Sequence, residues 1–594
     1  MRVIGTRTLA VLLVALIALG QAAIASAGDW RHEGVERVVA IGDVHGARDE
    51  LIALLKDVGL VDEALRWSGG RTHLVSVGDL LDRGDYGRQV MDLMMRLQQE
   101  AAAAGGAVHV LLGNHEVMNL TGDLRYVSDG DYAQFGSEAR GGLPPGFFER
   151  RAALAPDGYY GRWLLGLPAA LVVNDTLFVH GGVSAMLEGM SLEQINTAAM
   201  RDVRRVAEGW HALLDAGLLG DADNFSTLRA RAAALAEDGR DPRMQALGRE
   251  MAEALQGLPF NPDGVTWYRG NSICHAYAEG VTLRNVLARV GASRVVVGHT
   301  VTDPRKITSR VDGLVYRIDT GMNHAVYGGT PGALIIEGGE PRAKYLGAPA
   351  AAVAEEPTRD WARPYDMSDA ELEDFLRTAE IILIEDLAEG VTRPQRLTLE
   401  RDGRTMRAVF KTVDTNPGLE RQRRWSREHD LADRHVYDVV AYRLDRILGV
   451  HMVPVAVERV VDGRSGTVQY WIENSINENQ RRAQEIPRSS DCSFAPQFNI
   501  MNVFDLLIFN TDRNLGNILY DADQHIWLID HTRAFGTRRG EPAMLRNAQV
   551  VITPELAAML DRVTEENLEP LKPYLHSRQV SALVSRAQWL QGRQ

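Results

Sequence analysis

The chain has 594 residues, 45% hydrophobic and 24% charged, a globular composition long enough for more than one core. It excludes a wholly disordered chain, a collagen and a multi-span membrane protein. Lys plus Arg number 65 against 79 Asp plus Glu, a net charge of −14, which gives no basic footprint for general nucleic-acid binding. The two cysteines, Cys274 and Cys492, cannot form a disulfide scaffold; a single pair and two buried thiols both remain open.

The first element is a leader. Arg2 and Arg7 precede the apolar run Leu9 to Leu19, and Ala25-Ser26-Ala27 follows as a small-x-small cleavage site. This order predicts a secretory signal peptide over 1–27, because the apolar run is short for a bilayer span; the alternative is an uncleaved anchor. No later stretch reads as transmembrane. The expected mature chain is exported, periplasmic or secreted, with no stable membrane span after cleavage.

From Glu36 apolar runs alternate with helical periodicity. Val38 to Ile41 reads as a buried strand, and Leu51, Leu54, Leu55 and Val58 mark one face of a helix. Leu74 to Val77 is the second strand, Val90, Leu93, Met94 and Leu97 the next helix, and Val108 to Leu112 the third strand. Such a β-α-β-α-β series predicts a parallel sheet with helical crossovers. Further strands are expected at Leu177 to Val179, Arg294 to Val297, Leu314 to Ile318 and Ala333 to Ile336. Between them, 185–262 reads as a helical insertion, with helices over Ser191 to Leu219 and Ser226 to Leu258. It either shapes the mouth of a site or pads the fold.

The strand ends carry the chemistry. They read Gly42-Asp43-Val44-His45-Gly46, Gly78-Asp79-Leu80-Leu81-Asp82-Arg83-Gly84, Gly113-Asn114-His115-Glu116, His180-Gly181-Gly182 and Gly298-His299-Thr300. Ligands of open α/β sheets gather beyond the carboxyl ends of strands, and glycine lets the backbone come close. Asp43 and His45 can reach one ion through a turn. Asp79 can bridge two ions, Asn114 offers an amide oxygen, and His180 and His299 offer imidazole nitrogen. A mixed N/O set lacking thiolate fits two divalent ions, Mn, Fe or Zn.

The motifs GDVHG, GDLLDRG, GNHE, HGG and GHT resemble the calcineurin-like metallophosphoesterases, and DRG with GNHE points to the phosphoprotein-phosphatase branch. NHEVMNLTGDLRYV, from Asn114 to Val127, and Trp267-Tyr268-Arg269-Gly270 resemble the Shewanella-like phosphatases within it. The resemblance covers Val38 to Glu340. It implies a metallophosphoesterase β-sandwich flanked by helices, over 36–345. It also implies that Asp43, His45 and Asp79 hold one metal, and that Asp79, Asn114, His180 and His299 hold the second. By the same resemblance Arg83 and Arg269 clamp phosphate, His115 is a general acid oriented by Asp82, and a two-metal activated hydroxide attacks phosphorus. The eukaryotic SAPNYC segment is absent; Ile318-Asp319-Thr320-Gly321-Met322 stands at that stage. Of the 16 histidines, those outside the motifs, such as His73, His211 and His576, are expected as surface or capping residues, and His109 as a packed polar residue.

Leu346 to Thr358 reads as a linker, and 361–594 as a second, α+β domain. Gln395 to Glu400 and Arg404 to Val413 flank Asp402-Gly403, a hairpin signal, and Val436, Val440, Leu444 and Leu448 mark a helix. Lys411, the spacing Asp512 to Asn517, and Asp530 after the strand Ile526 to Ile529 resemble atypical HipA-like and phosphatidylinositol-kinase-like domains. That resemblance implies ATP contact by Lys411, Mg²⁺ binding by Asn517 and Asp530, and positioning of an acceptor by Asp512. Asp438 is the nearest partner for Lys411, Glu428 a rival, and Gly390-Val391-Thr392 a weak phosphate loop. The departure from DFG at Asp530-His531, and an exported chain's poor access to ATP, leave a kinase-shaped binding module open. Thr553 to Gln594 reads as helical.

The expected function is metal-dependent phosphomonoester hydrolysis of a phosphorylated protein or small phosphoester. The alternatives are a nucleotidase or dinucleoside-polyphosphate hydrolase, and a phospho-ligand or nucleotide sensor with an inactive kinase-like domain.

Overall fold

A computed structural model describes residues 30–593, apart from 222, 239, 303, 356–366, 388–392, 416–431, 487–491, 493, 522–524 and 547. The expected leader, the end of the expected linker, Gly390 to Thr392 and Glu428 lie outside the described residues. The chain divides into two compact units. The first comprises the residues up to 267 with 286–308 and 316–354; the second comprises 268–285, 309–315 and the residues from 355 on.

In the first unit the strands Arg37–Ile41, His73–Ser76 and Ala107–Val110 pair in parallel. The helices Arg48–Asp57 and Gly87–Ala103 make the crossovers between them. Gly332–Glu337 pairs antiparallel with Arg37–Ile41, and Glu340–Tyr345 pairs with it in turn, within a six-stranded sheet. Both faces of this sheet are covered. Val39, Ile41, Leu74, Val108 and Val110 pack on the helices with Leu51, Leu54, Val90 and Leu97. Val38, Ala40, Val75 and Leu111 face inward with Leu171, Val173, Phe178 and Val296 of a second sheet. Burial on both faces is why these strands read as unbroken apolar runs, and each fully buried Val, Leu or Ile contributes about 1.5–3 kcal/mol.

The second sheet includes Ala170–Val173 and Thr176–Val179, paired antiparallel. Arg294–Val297 runs parallel to Thr176–Val179, and the two-residue strand Arg31–His32 runs parallel to Ala170–Val173. The architecture is therefore a β-sandwich flanked by helices. Arg31–His32, Ala170–Val173 and Glu340–Tyr345 were not expected; the first is short and polar, with no periodicity to read. In the insertion, Leu192–Asp215 starts at a Ser191/Gln194 capping box. The expected helix Ser226 to Leu258 is two helices, Phe225–Glu237 and Pro242–Ala254. Asp241 caps the second, and Pro242, pre-set for a first helical turn, cannot continue the one before it. Val203, Val206, Trp210, Leu228 and Met251 of the insertion share the core of the six-stranded sheet's helical face.

The second unit is α+β. Its five-stranded sheet has the antiparallel order Glu380–Asp386, Gln395–Arg401, Arg404–Lys411, Arg464–Tyr470, Ala456–Val461. Asp402 and Gly403 have φ of +55° and +73°, the two positive values that a type I′ hairpin turn requires. The helix Val436–Leu448 ends at Gly449, φ +70°, a left-handed cap that glycine adopts without strain. The helix Phe494–Ile508, a small sheet of Ile476–Asn477, Ile518–Tyr520 and Ile526–Leu528, and the helices Pro554–Asp561 and Ser577–Gln591 also belong to it. Cys274 and Cys492 form a disulfide within this unit, which decides the question left open by the sequence. Among the described residues no helix is long and apolar enough to cross a membrane.

Candidate active site

Each expected ligand sits where a strand runs out. Asp43 and His45 follow Arg37–Ile41; Asp79, Asp82 and Arg83 follow His73–Ser76; Asn114 and His115 open the helix Asn114–Leu120 beyond Ala107–Val110. His180 follows Thr176–Val179, and His299 follows Arg294–Val297. All are buried except Arg83, which is partly so. His45, Asp79, Asp82, Arg83 and His299 have φ of +48°, +53°, +71°, +67° and +63°. Non-glycine residues there cost about 1–3 kcal/mol each, a strain that persists where surrounding structure enforces it. A Cβ on Gly113 or Gly298 would collide with the carboxylate of Asp79 or Asp43, so only glycine admits these side chains.

Asp79 is the hub. Its Oδ2 lies 3.3 Å from His180 Nε2, 3.8 Å from His45 Nε2 and 3.9 Å from His115 Nε2. Donor atoms of His45, Asp79 and His115 lie within 4.8 Å of one another, as do those of Asp79, His180 and His299. Asp43 Oδ2 is 3.9 Å from His45 Nε2, and Asn114 Oδ1 is 2.8 Å from His180 Nε2. The far ring nitrogens are occupied by the backbone, His45 Nδ1 at 3.0 Å from the Leu81 carbonyl and His180 Nδ1 at 2.9 Å from that of Val77. Donation there turns Nε2 toward the Asp79 cluster as the available ring nitrogen. Burial pushes His45 down to about 4, so its ring is neutral. Burial, then Asp319 and Asp79, raise Asp43 well above the carboxylate range; burial, with Asp79 adding, raises Asp319 to about 6. Clustered buried carboxylates interleaved with imidazole nitrogens fit a pair of divalent metals, which would neutralise the like charge.

Beside this cluster His115 Nδ1 lies 2.6 Å from Asp82 Oδ2. Asp82 Oδ1 accepts from Asn119 Nδ2 at 2.9 Å. Burial works against the imidazolium, but Asp79 and Asp82 outweigh it and hold His115 above its ordinary pKa. The Arg83 guanidinium lies 4.7 Å over the Tyr126 ring and 5.4 Å from that of Tyr327. Arg269 belongs to the second unit, at the start of the short helix Gly270–Ile273, and its phosphate role stays with the family resemblance.

Two residues of the site escaped the sequence reading. Glu116 accepts from the backbone N–H of Asp79 and Leu80, both at 2.8 Å, and of Gly113 at 2.9 Å. It stood inside the GNHE motif but was given no part. Asp319 follows the strand Val315–Arg317 with Gly321 two residues on, an acid beyond a strand near a glycine, and that is its signal.

In the second unit the residues expected to bind nucleotide fall into two hydrogen-bonded groups. Lys411 Nζ is 2.9 Å from Asp438 Oδ2 and 3.0 Å from Asp530 Oδ1. Burial opposes the ammonium, but these carboxylates outweigh it and raise its pKa. Asn517 Nδ2 donates to the Asp512 carbonyl at 3.1 Å, and Asp512 Oδ2 accepts from Arg533 at 2.9 Å. Asp438 also accepts from the His531 backbone N–H at 2.8 Å.

A sandwich whose strand ends bring histidine, aspartate and asparagine around one carboxylate, that of Asp79, has the architecture of a metallophosphoesterase. The family model of calcineurin-like phosphoesterases matches residues 36–303. Shewanella-like protein phosphatase 2 of Arabidopsis thaliana is 31% identical over 342 residues, 52% of this chain and 76% of that protein. Shewanella-like protein phosphatase 1 of Plasmodium berghei is 26% identical, covering 52% and 71%. A solved cold-active protein tyrosine phosphatase is 27% identical, covers 55% of this chain and 81% of its own, and superposes with a TM-score of 0.41. The chain belongs to the calcineurin-like phosphoesterase family, with Shewanella-like protein phosphatases as homologues of its N-terminal half. It is a metallophosphatase.

Proposed function

We propose that the first unit removes phosphate from phosphoproteins. The observation that carries this reading is the His115–Asp82 pair beside the Asp79 hub, a proton donor at the edge of a two-metal ligand set. Asp43, His45 and Asp79 would hold one ion, and Asp79, Asn114, His180 and His299 the other, as Mn, Fe or Zn. When bound, such ions supply Lewis-acid polarisation of phosphoryl oxygens and an activated water nucleophile. Arg83 binds the phosphate through a planar guanidinium fork. His115 Nε2 gives its proton to the leaving oxygen, while Asp82 fixes Nδ1–H and supports the charged ring.

The test is turnover of a phosphopeptide beside diadenosine tetraphosphate by the full chain loaded with Mn²⁺. Preferential phosphopeptide hydrolysis supports the reading; cleavage of the nucleotide alone assigns a polyphosphate hydrolase instead.

The Lys411–Asp438–Asp530 group favours a second activity. In this reading Lys411 contacts ATP phosphates, Asn517 and Asp530 hold Mg²⁺, and Asp512 positions an acceptor hydroxyl. Labelled phosphate from ATP appearing on protein, and lost in Asp530→Ala, supports transfer. Nucleotide binding that never leads to transfer identifies a sensor. The proposed organisation is a leader over 1–27, the phosphatase domain, the linker and the kinase-like domain from 361 on. The Cys274–Cys492 disulfide supports export, since such bonds persist in oxidising compartments.

A further inference from the structure

Three histidines outside the phosphatase centre meet in the first unit. His32 lies on the short edge strand Arg31–His32, paired with Val173 of the second sheet. His73 opens the strand His73–Ser76, and His109 lies in the neighbouring strand, opposite Val75. The period-two alternation of strands puts His73 and His109 on the same face as Val75 and Leu111, the face turned toward the second sheet. The three rings thus come from both sheets of the sandwich, His73 from the start of its strand, His109 from within Ala107–Val110 and His32 from the end of Arg31–His32. The phosphatase ligands lie at the strand ends; Asp79 is six residues from His73, about 20 Å along an extended chain.

The geometry is that of a ligand set. One nitrogen from each ring lies within 4.8 Å of the others. Ring centroids are 4.6 Å apart for His32 and His109, 5.1 Å for His73 and His109, and 5.2 Å for His32 and His73. His109 Nε2 is 3.1 Å from His73 Nδ1. Two imidazole nitrogens on one tetrahedral zinc, each at about 2.0–2.1 Å, are separated by about 3.4 Å, so one edge of the polyhedron is nearly in place. His32 Nε2 is buried with no hydrogen-bond partner. As packing alone, the cluster satisfies one ring pair and leaves that atom stranded, at a cost of about 1–3 kcal/mol. A cation accepts all three lone pairs at once. The rings are half-buried, which leaves solvent access for an ion and a water as fourth ligand.

We infer that His32, His73 and His109 form a second metal site, for a borderline divalent cation such as Zn²⁺, which cross-links the two sheets apart from the phosphatase centre. An all-imidazole set suits zinc, copper or nickel; it lacks the oxygen ligands that Mg²⁺, Ca²⁺ and Mn²⁺ prefer. The site is therefore chemically separable from the mixed N/O cluster around Asp79.

The test counts zinc. The full chain carrying Asp79→Asn is stripped with chelator and titrated with Zn²⁺, alone and with His109→Gln added. The expected result is one fewer zinc equivalent in the doubly substituted chain and loss of the zinc-induced rise in unfolding temperature. His109→Gln in the otherwise unaltered chain keeps phosphatase turnover within twofold. Equal zinc stoichiometry with and without His109, or no zinc bound by the Asp79→Asn chain, overturns the assignment. If His109→Gln does not fold, His32→Gln on the edge strand replaces it, and the same two outcomes decide.

Discussion

Glu116 holds Asp79 in place through the backbone. Its carboxylate accepts the N–H groups of Asp79 and Leu80 at 2.8 Å, and the Gly113 N–H as well. The loop carrying Asp79 is thereby tied to the loop carrying Asn114. Asp79 adopts φ +53°, and Glu116 is part of what enforces that conformation. Glu116→Gln keeps the shape but replaces one accepting oxygen with an NH₂ that faces N–H donors. Metal affinity and turnover fall about 10–100-fold, the usual cost of losing an outer-shell partner. Metal analysis and kcat/KM with Mn²⁺ titration check this; an unchanged metal affinity would sink it.

His115 and Asp82 act as a pair, 2.6 Å apart. A phenoxide leaves with little protonation and an alkoxide does not. His115→Asn therefore slows alkyl phosphates about 10²–10⁴-fold and aryl phosphates markedly less. Asp82→Asn shifts both rates in the same order by a smaller factor, because the imidazole remains but loses its support. Equal losses on both substrate classes would remove His115 from the acid role.

The Cys274–Cys492 disulfide closes a sequence separation of 218 residues. Closing a long loop restricts the unfolded chain, and losing such a bond costs about 2–5 kcal/mol. Dithiothreitol lowers the unfolding transition of the second unit, and Cys492→Ser reproduces the shift without reductant. Calorimetry of oxidised, reduced and substituted chains measures it.

Acid weakens the second unit through Glu478. Its carboxylate accepts from Arg481 Nε at 2.7 Å and from Arg482 Nε at 2.6 Å. The Arg481 hydrogen bond leads in drawing its pKa from 4.5 to about 2. The folded pKa lies below the unfolded one, so this stabilisation is complete above pH 4.5 and is lost as pH falls from there toward 2. Glu478→Gln costs about 1–3 kcal/mol at pH 7 and less at pH 3, which denaturant melts at the two pH values compare.

Much of the site was legible because each ligand adjoins a strand whose apolar run marks it. A strand buried on both faces needs unbroken hydrophobic residues, and the glycine-flanked acid or histidine after it stands out. The sequence alone therefore determined which acids and histidines stand at the strand ends, the crossover helices and the hairpin at Asp402-Gly403. Only the tertiary structure decided the roles of Glu116 and Asp319, the pairing of Cys274 with Cys492, and the meeting of His32, His73 and His109. His73, expected on the surface or at a cap, is half-buried in a strand against two other rings. Local order is written in spacing, since neighbouring residues share one helix or strand. Contacts between distant segments depend on how sheets stack, and no periodicity along the chain records that.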